Sequence, residues 1–371
     1  MRSVIGLKAW PIALWVLCAG AATPSFAKEY ILVGSYGNKL YLIDPVAAKI
    51  AHTFQVPGAG TGPSYIAPSP DGRVAYVVTN RFNSVSGIDL DSGKEVFRAD
   101  LAQGDVRVHA MFGLDVSPDG KWLYVVEQRY KLLSDRFEVV DPVIAVYRTD
   151  AGAEAKPARL MPIKHQIQHL AVSTDGKTIY AHGLDLYAID AATGKLRDTM
   201  SVANWKRDGY GPAEAFAWLG EQLNSSGVYA MDFYTDRLGQ GSPDSPARDL
   251  GVLSANLKTG AMTMEIIGQA SEAPDLTGMT VNPRNPNEVI GIGGSLVKID
   301  RRAKRVIARA PTNGLLFYMG VVSADGQRVY TGGGHCRVGI YATKDLSPLG
   351  LVELPNCAVM GMSSVRIVNR P

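Results

Sequence analysis

Cysteine is scarce in this 371-residue chain, with three in all, at 18, 336 and 357. There is no Cys-x-x-Cys-His, which excludes a covalently attached c-type haem. His-Glu-x-x-His and Gly-x-Ser-x-Gly are also missing, so neither a zincin helix nor a nucleophile elbow is encoded. Beyond the N-terminal segment no run of 18 apolar residues occurs, which argues against a membrane-spanning helix. Charge of one sign is lacking too, since 38 basic residues face 35 acidic ones. A nucleic-acid groove needs a concentrated basic stripe, and none is present.

The N-terminus has the three parts of a secretory signal. Arg2 and Lys8 give a positive start, an apolar run extends from Ala9 to Ala22, and Ser25-Phe26-Ala27 supplies small residues for cleavage. Residues 1–27 are therefore expected to be a signal peptide and 28–371 a single periplasmic domain. Bulky Leu17 before Cys18 does not fit a lipidation site. Cleavage would leave only Cys336 and Cys357, and in an oxidising compartment that pair reads as a disulfide. No metal, cofactor-binding or catalytic residue is predicted in this chain.

The most informative feature is an internal repeat. Ser69-Pro70-Asp71-Gly72, Ser117-Pro118-Asp119-Gly120, Ser173-Thr174-Asp175-Gly176 and Ser323-Ala324-Asp325-Gly326 each precede a β-branched and aromatic stretch ending near Tyr76, Tyr124, Tyr180 or Tyr330. Asp-Gly supplies the positive φ of a tight hairpin turn, so the flanks read as adjacent antiparallel strands. A third strand ending in Ile-Asp follows, as at Ile43-Asp44, Ile189-Asp190 and Ile299-Asp300, and then a fourth. Four short strands per unit make a propeller blade. Seven innermost strands are predicted, ending near Pro68, Ser117, Ser173, Trp218, Asn282, Ser323 and Ile367. The expected fold is an all-β, seven-bladed β-propeller with four-stranded blades. The stretch from 28 begins in the phase of a second strand and the last residues in that of a first, so a C-terminal strand should close the ring beside Tyr30–Val33.

Excursions at Leu101–Phe112, Glu127–Pro142, Val202–Pro212, Asp232–Leu250 and Gln269–Leu276 all belong to one face, and the other face keeps tight turns. Loop elaboration on one face of a ring marks a binding face. Arg129, Tyr130, Trp205, Tyr210 and Tyr234 are its candidate partner anchors, because Arg, Trp and Tyr dominate interface energetics. Gly58 to Gly62 only loosely resembles a phosphate loop and reads as a turn, and His165 and His169 lead into a strand rather than forming a metal pair.

Tyr76-Val77-Val78-Thr79-Asn80 resembles the YVTN-type propeller repeat. The secretory start, the blade phase, the 127–142 insertion, Gly332 to Cys336 and Pro355-Asn356-Cys357 together resemble the β subunits of quinohemoprotein amine dehydrogenases. That resemblance implies a heterotrimer, in which a small subunit carries a cysteine tryptophylquinone and a second partner carries two c-type haems. The chain itself would be the non-redox propeller that docks both and shapes the substrate entrance for primary amines. The heavy chains of tryptophan-tryptophylquinone amine dehydrogenases, stand-alone YVTN-type binding proteins and lactonase-like hydrolases share the architecture and stand as alternatives.

Overall fold

The computed structural model describes residues 28–370 apart from 59, 61, 111, 216–225, 243–244, 274–275 and 361–364. The proposed signal segment and Trp218 lie outside the described residues.

Seven antiparallel sheets follow one another around a ring. The first blade comprises β1 (Lys28–Ser35), β2 (Lys39–Asp44) and β3 (Lys49–Gln55). The second comprises β4 (Ile66–Pro68), β5 (Val74–Thr79), β6 (Ser84–Asp89) and β7 (Glu95–Asp100). The third has an accessory strand, β8 (Val106–His109), beside β9 (Leu114–Val116), β10 (Trp122–Leu132), β11 (Phe137–Arg148) and β12 (Arg159–Pro162). The fourth is β13 (His169–Val172), β14 (Thr178–His182), β15 (Leu186–Asp190) and β16 (Leu196–Met200). The fifth is β17 (Glu214–Ala215), β18 (Val228–Ser242), β19 (Ser245–Asn256) and β20 (Met262–Gln269). The sixth is β21 (Leu276–Asn282), β22 (Asn285–Gly293), β23 (Ser295–Asp300) and β24 (Arg305–Pro311). The seventh is β25 (Phe317–Val322), β26 (Arg328–Gly333), β27 (Arg337–Ala342) and β28 (Pro348–Glu353). Finally β29 (Val365–Arg370) returns to the first blade and pairs with β1 from Lys28↔Arg370 to Val33↔Val365. The predicted blade number, strand number and closure are all observed. Helix among the described residues is confined to single short turns.

The repeated Ser-x-Asp-Gly turn has one hydrogen-bond pattern. Ser69 Oγ donates to Asp71 and accepts from Val74 N, and the Asp71 carboxylate also accepts from Arg73 N. The same bonds recur at 117–122, 173–178 and 323–328. Gly72, Gly120, Gly176 and Gly326 all have φ between 69° and 74°, a region costly for any residue with a Cβ. Asp44, Asp89, Asp190 and Asp300 each accept two backbone N–H groups from the turn after the third strand. These aspartates are turn chemistry, as their spacing predicts.

Packing between blades is aromatic and aliphatic. Tyr41, Tyr147, Tyr229, Tyr330, Phe97, Phe233 and Phe317 are completely buried. Gly251 on β19 makes room for one of them, since a Cβ there would lie 2.1 Å from the Phe233 ring. Polar staples join the innermost strands. The buried Asp115 carboxylate on β9 accepts from Val172 N on β13 at 2.8 Å, and Arg366 Nε on β29 donates to Ile66 O on β4 at 2.7 Å.

Candidate functional site: one elaborated face

Connections from second to third strand, and from fourth strand to the next first strand, share one face of the ring. Two excursions there are strand, not loop. Sequence reading placed irregular insertions at Glu127–Pro142 and Asp232–Leu250. Instead β10–β11 and β18–β19 continue as paired hairpins beyond the blade, with β-bulges at Glu127/Arg129 and Asp236/Gly241. Strand β8 pairs with the outer half of β10 through Gln128↔His109 to Lys131↔Val106 and broadens the first hairpin. An aromatic ladder crosses it: Phe82 against His109, His109 against Tyr130 at 5.6 Å, and Tyr130 against Phe137 at 5.6 Å.

Exposed large apolar side chains are distributed unevenly. Tyr36, Leu132, Phe137, Val139, Leu184, Leu238 and Leu316 all lie on the elaborated face, with Phe137 at 69% and Val139 at 74% exposure. On the turn face the one exposed residue of this kind, among those described, is Val46. The remaining six sit on outermost strands.

The five anchors predicted from sequence fall into two groups at the bases of these hairpins, each half-buried. Arg129 turns inward, with Nε 3.9 Å from the Glu127 carboxylate. Tyr130 belongs to the aromatic ladder. Trp205 packs edge-on against Phe233 at 5.4 Å and beside Tyr210. The Tyr210 hydroxyl donates to Asp249 at 3.0 Å, which Arg237 also holds through two N–H groups. The Arg248 guanidinium lies 5.5 Å from the centre of the Tyr234 ring. The exposed tips, Leu132, Phe137, Val139 and Leu238, were not singled out from sequence. The available signal was the alternation Phe137-Glu138-Val139, which is strand-like and too apolar for a solvated loop.

Beneath the hairpins lie buried ionisable groups. Glu127 is fully buried, accepts from the Tyr147 hydroxyl at 3.0 Å, and is pushed by burial up to about 7. Burial likewise raises Asp232 to about 6, and does the same to Asp115, which lies on β9 towards the turn face. His182 faces its cross-strand partner His169, accepts or donates through Nδ1 to Tyr229 at 2.6 Å, and burial lowers it to about 3. His165 lies apart and exposed near Asp141, so the two histidines spaced by four do not converge.

An acid with a raised native pKa holds more protons folded than unfolded, so stability falls as pH rises through the interval between its unfolded and folded values. For Glu127 that interval runs from 4.5 to about 7. His182 acts oppositely at lower pH, because the unfolded imidazole takes up a proton below 6.5 that the native one refuses until about 3. Glu127→Gln keeps an acceptor for Tyr147 and removes the charge. Its stability should therefore lose part of the decline between pH 5 and pH 8, by up to about 3 kcal/mol at 1.36 kcal/mol per unit. Urea denaturation of both proteins at the two pH values measures this. An unchanged pH dependence in the variant would mean that Glu127 carries no such cost.

Cys336 and Cys357 form the predicted disulfide, with Cα atoms 4.8 Å apart. Glu353 is near both sulfurs, but they are joined to each other and Glu353 pairs with Arg337. The axial cavity on the turn face, about 410 Å³, is lined by Pro68, Pro118, Val172, Leu257, Ile367 and their neighbours. None of its described lining residues is a carboxylate, histidine or cysteine.

Residues 40–207 match the family described as lactonase, 7-bladed beta-propeller. No curated protein matches the chain significantly. Solved structures resemble it in fold. Kuenenia stuttgartiensis hydrazine synthase has a TM-score of 0.52 at 17% identity, over 80% of this chain and 86% of that one. A functionally unknown protein from Desulfotomaculum acetoxidans has a TM-score of 0.58 at 12% identity, over 93% and 100%. The Cps50 (Swd1) β-propeller domain of Myceliophthora thermophila has a TM-score of 0.54 at 10% identity, over 82% and 88%. At these identities the likeness is one of fold.

Proposed function

We propose that this chain is the non-redox propeller subunit of a periplasmic quinohemoprotein amine dehydrogenase. Its elaborated face docks a small subunit bearing cysteine tryptophylquinone and part of a di-haem cytochrome c subunit. The observation that carries this reading is the gathering of seven exposed large apolar residues on that face, two of them more than two-thirds exposed on the hairpin β10–β11. Exposed apolar side chains on one face, three of them (Leu132, Phe137 and Val139) on a single hairpin beside Arg and Tyr, have the composition of a protein interface. In the assembly this subunit would wall the substrate entrance and exclude water, and the partners would supply electron transfer.

The family match over 40–207 favours one second reading, a lactonase-type hydrolase. Such an enzyme needs groups that polarise a lactone carbonyl and position water, and the described lining residues of the axial cavity include no carboxylate or histidine.

The docking reading predicts that Phe137→Glu combined with Val139→Lys weakens assembly by about a hundredfold or more, as loss of a central apolar anchor does. The isolated propeller should melt as before, because both side chains are solvent-exposed. Titrating the purified subunits against one another by light scattering or calorimetry gives the answer. Unaltered affinity of that variant, and of one carrying alanine at Arg129, Tyr130, Trp205, Tyr210 and Tyr234, would place the interface elsewhere.

A further inference from the structure

The hairpin β10–β11 has an open edge as well as an apolar face. Beyond its bulge it is part of a three-stranded sheet, in which β8 pairs with β10 from Gln128↔His109 to Lys131↔Val106. On the other side β12 pairs with β11 only from Val143 to Val146, so residues 137–141 have a strand neighbour on one side alone. The register decides which backbone groups face out. Leu133 N donates to Arg136 O across the tip at 2.9 Å. Bonded and non-bonded pairs alternate down an antiparallel ladder. Lys131↔Glu138 and Arg129↔Val140 are therefore the bonded pairs, and Leu132↔Phe137 and Tyr130↔Val139 are not. The N–H and C=O groups of Phe137 and Val139 point away from β10, and no strand among the described residues meets them.

An edge of this kind is a template for another extended chain, and only an extended backbone matches its row of donors and acceptors. Phe137 and Val139 are also the most exposed large apolar residues on any described strand. The outermost blade strands are edges too, but only β28 shows two such residues in alternation, and there Gly350 lies between Leu349 and Leu351 and weakens the strand. Charge narrows the choice of occupant. Residues 137–141 read Phe-Glu-Val-Val-Asp, with two acids and no cation. Lys131 approaches Glu138 at 4.0 Å and His165 approaches Asp141 at 3.5 Å, yet the two carboxylates remain 49% and 90% exposed. A second copy of this strand would set like charges against them, which destabilises cross-strand pairs. A strand that alternates apolar with basic residues meets both the apolar row and the acids.

From this edge we infer that the small partner subunit docks by strand addition, through an extended segment in which apolar and basic residues alternate. The segment pairs with residues 137–141 as the next strand of the sheet, and its main chain satisfies the outward groups of Phe137 and Val139. Its apolar side chains extend the row that Tyr130, Leu132, Phe137 and Val139 form on one face, and its basic side chains answer Glu138 on the other. The inference rests on the docking reading proposed above and adds the mode of contact.

The test separates main chain from side chain at one position. Val139→Pro removes an outward N–H and leaves the bonds to β10, because proline is tolerated where a strand's N–H faces away from its neighbour. Val139→Ala removes the side chain and keeps the N–H. Melting curves like the parent's would verify that both variants fold. In calorimetric titrations with the purified small subunit, Val139→Pro should bind about tenfold more weakly than Val139→Ala. A second readout needs no variant: amide hydrogen exchange over residues 137–141 of the parent chain should slow by about tenfold or more in the complex. Equal affinities of the two folded variants, or unslowed exchange in the complex, would overturn strand addition. The docking reading then survives if Phe137→Glu with Val139→Lys still loses affinity, and falls as well if that variant binds like the parent chain. A dimer of the parent chain that Val139→Pro dissolves would assign the edge to a second copy and overturn the inference too.

Discussion

Deleting the closing strand, residues 365–371, should abolish the cooperative unfolding transition and leave an aggregating chain. Strand β29 is the innermost strand of the first blade, paired with β1 over six residues. It brings Val365, Ile367 and Val368 into the core, each at most 3% exposed. Arg366 adds its bond to Ile66 O and lies 4.7 Å from the centre of the Tyr65 ring in the second blade. Burial of three aliphatic side chains is worth about 1.5–3 kcal/mol each, and a domain's whole margin is about 5–15 kcal/mol. Deletion also bares β1 as an edge strand at the ring seam, an open template for pairing with another chain. A milder version, Ile367→Asp, places a charge among Tyr30 to Val33 and should have most of the same effect. Circular dichroism during urea titration reads both. A truncated chain with the parental midpoint would mean that the ring is held closed by something other than this strand.

The second large effect is at the same seam. Changing Cys336 and Cys357 to serine should cost about 3 kcal/mol, from the loop entropy that the bridge removes from the unfolded chain. The bridge spans 21 residues, linking the β26–β27 connection to the segment that feeds β29. Neighbouring backbone bonds reinforce it, from Met360 N to His335 O and from Tyr36 N to Val359 O. For a domain of this size the loss corresponds to a melting decrease of roughly 5 °C. Adding a reductant to the parent protein should reproduce it. Two free thiols in protein taken from an oxidising compartment, or an unchanged melting point in the double variant, would contradict the account.

Most of the fold was legible in the sequence because a propeller states its rule several times. Ser-x-Asp-Gly with a downstream tyrosine fixes a hairpin chemically, through the serine hydroxyl, the aspartate and the glycine φ. Four copies in one phase leave little choice of architecture. Less legible were the hairpin extensions. Composition marks Glu127–Pro142 as unlike a blade, but only pairing shows that Phe137 and Val139 lie opposite Leu132 and Tyr130. The anchors chosen from sequence were aromatic and cationic by type, and folding half-buries all five against local partners such as Glu127, Asp249 and Phe233. Side chains that remain exposed carry no distinguishing residue type, so their role depends on position alone. His182 and Glu127 were invisible for a related reason. His182 ends β14 and Glu127 sits in the middle of β10 at its bulge, each directly after a largely apolar run, and their burial follows from the neighbouring blades.

The most direct test of the docking assignment is co-expression of this chain with the small quinone-bearing and di-haem subunits from the same genome, followed by size-exclusion chromatography monitored at the haem band. The account predicts one complex whose haems are reduced on adding a primary amine. The propeller alone should elute without visible absorbance and should reduce no dye, and the Phe137→Glu, Val139→Lys variant should elute apart from the haem. A propeller that elutes separately from both partners, or that alone oxidises amines or opens lactones, would contradict it.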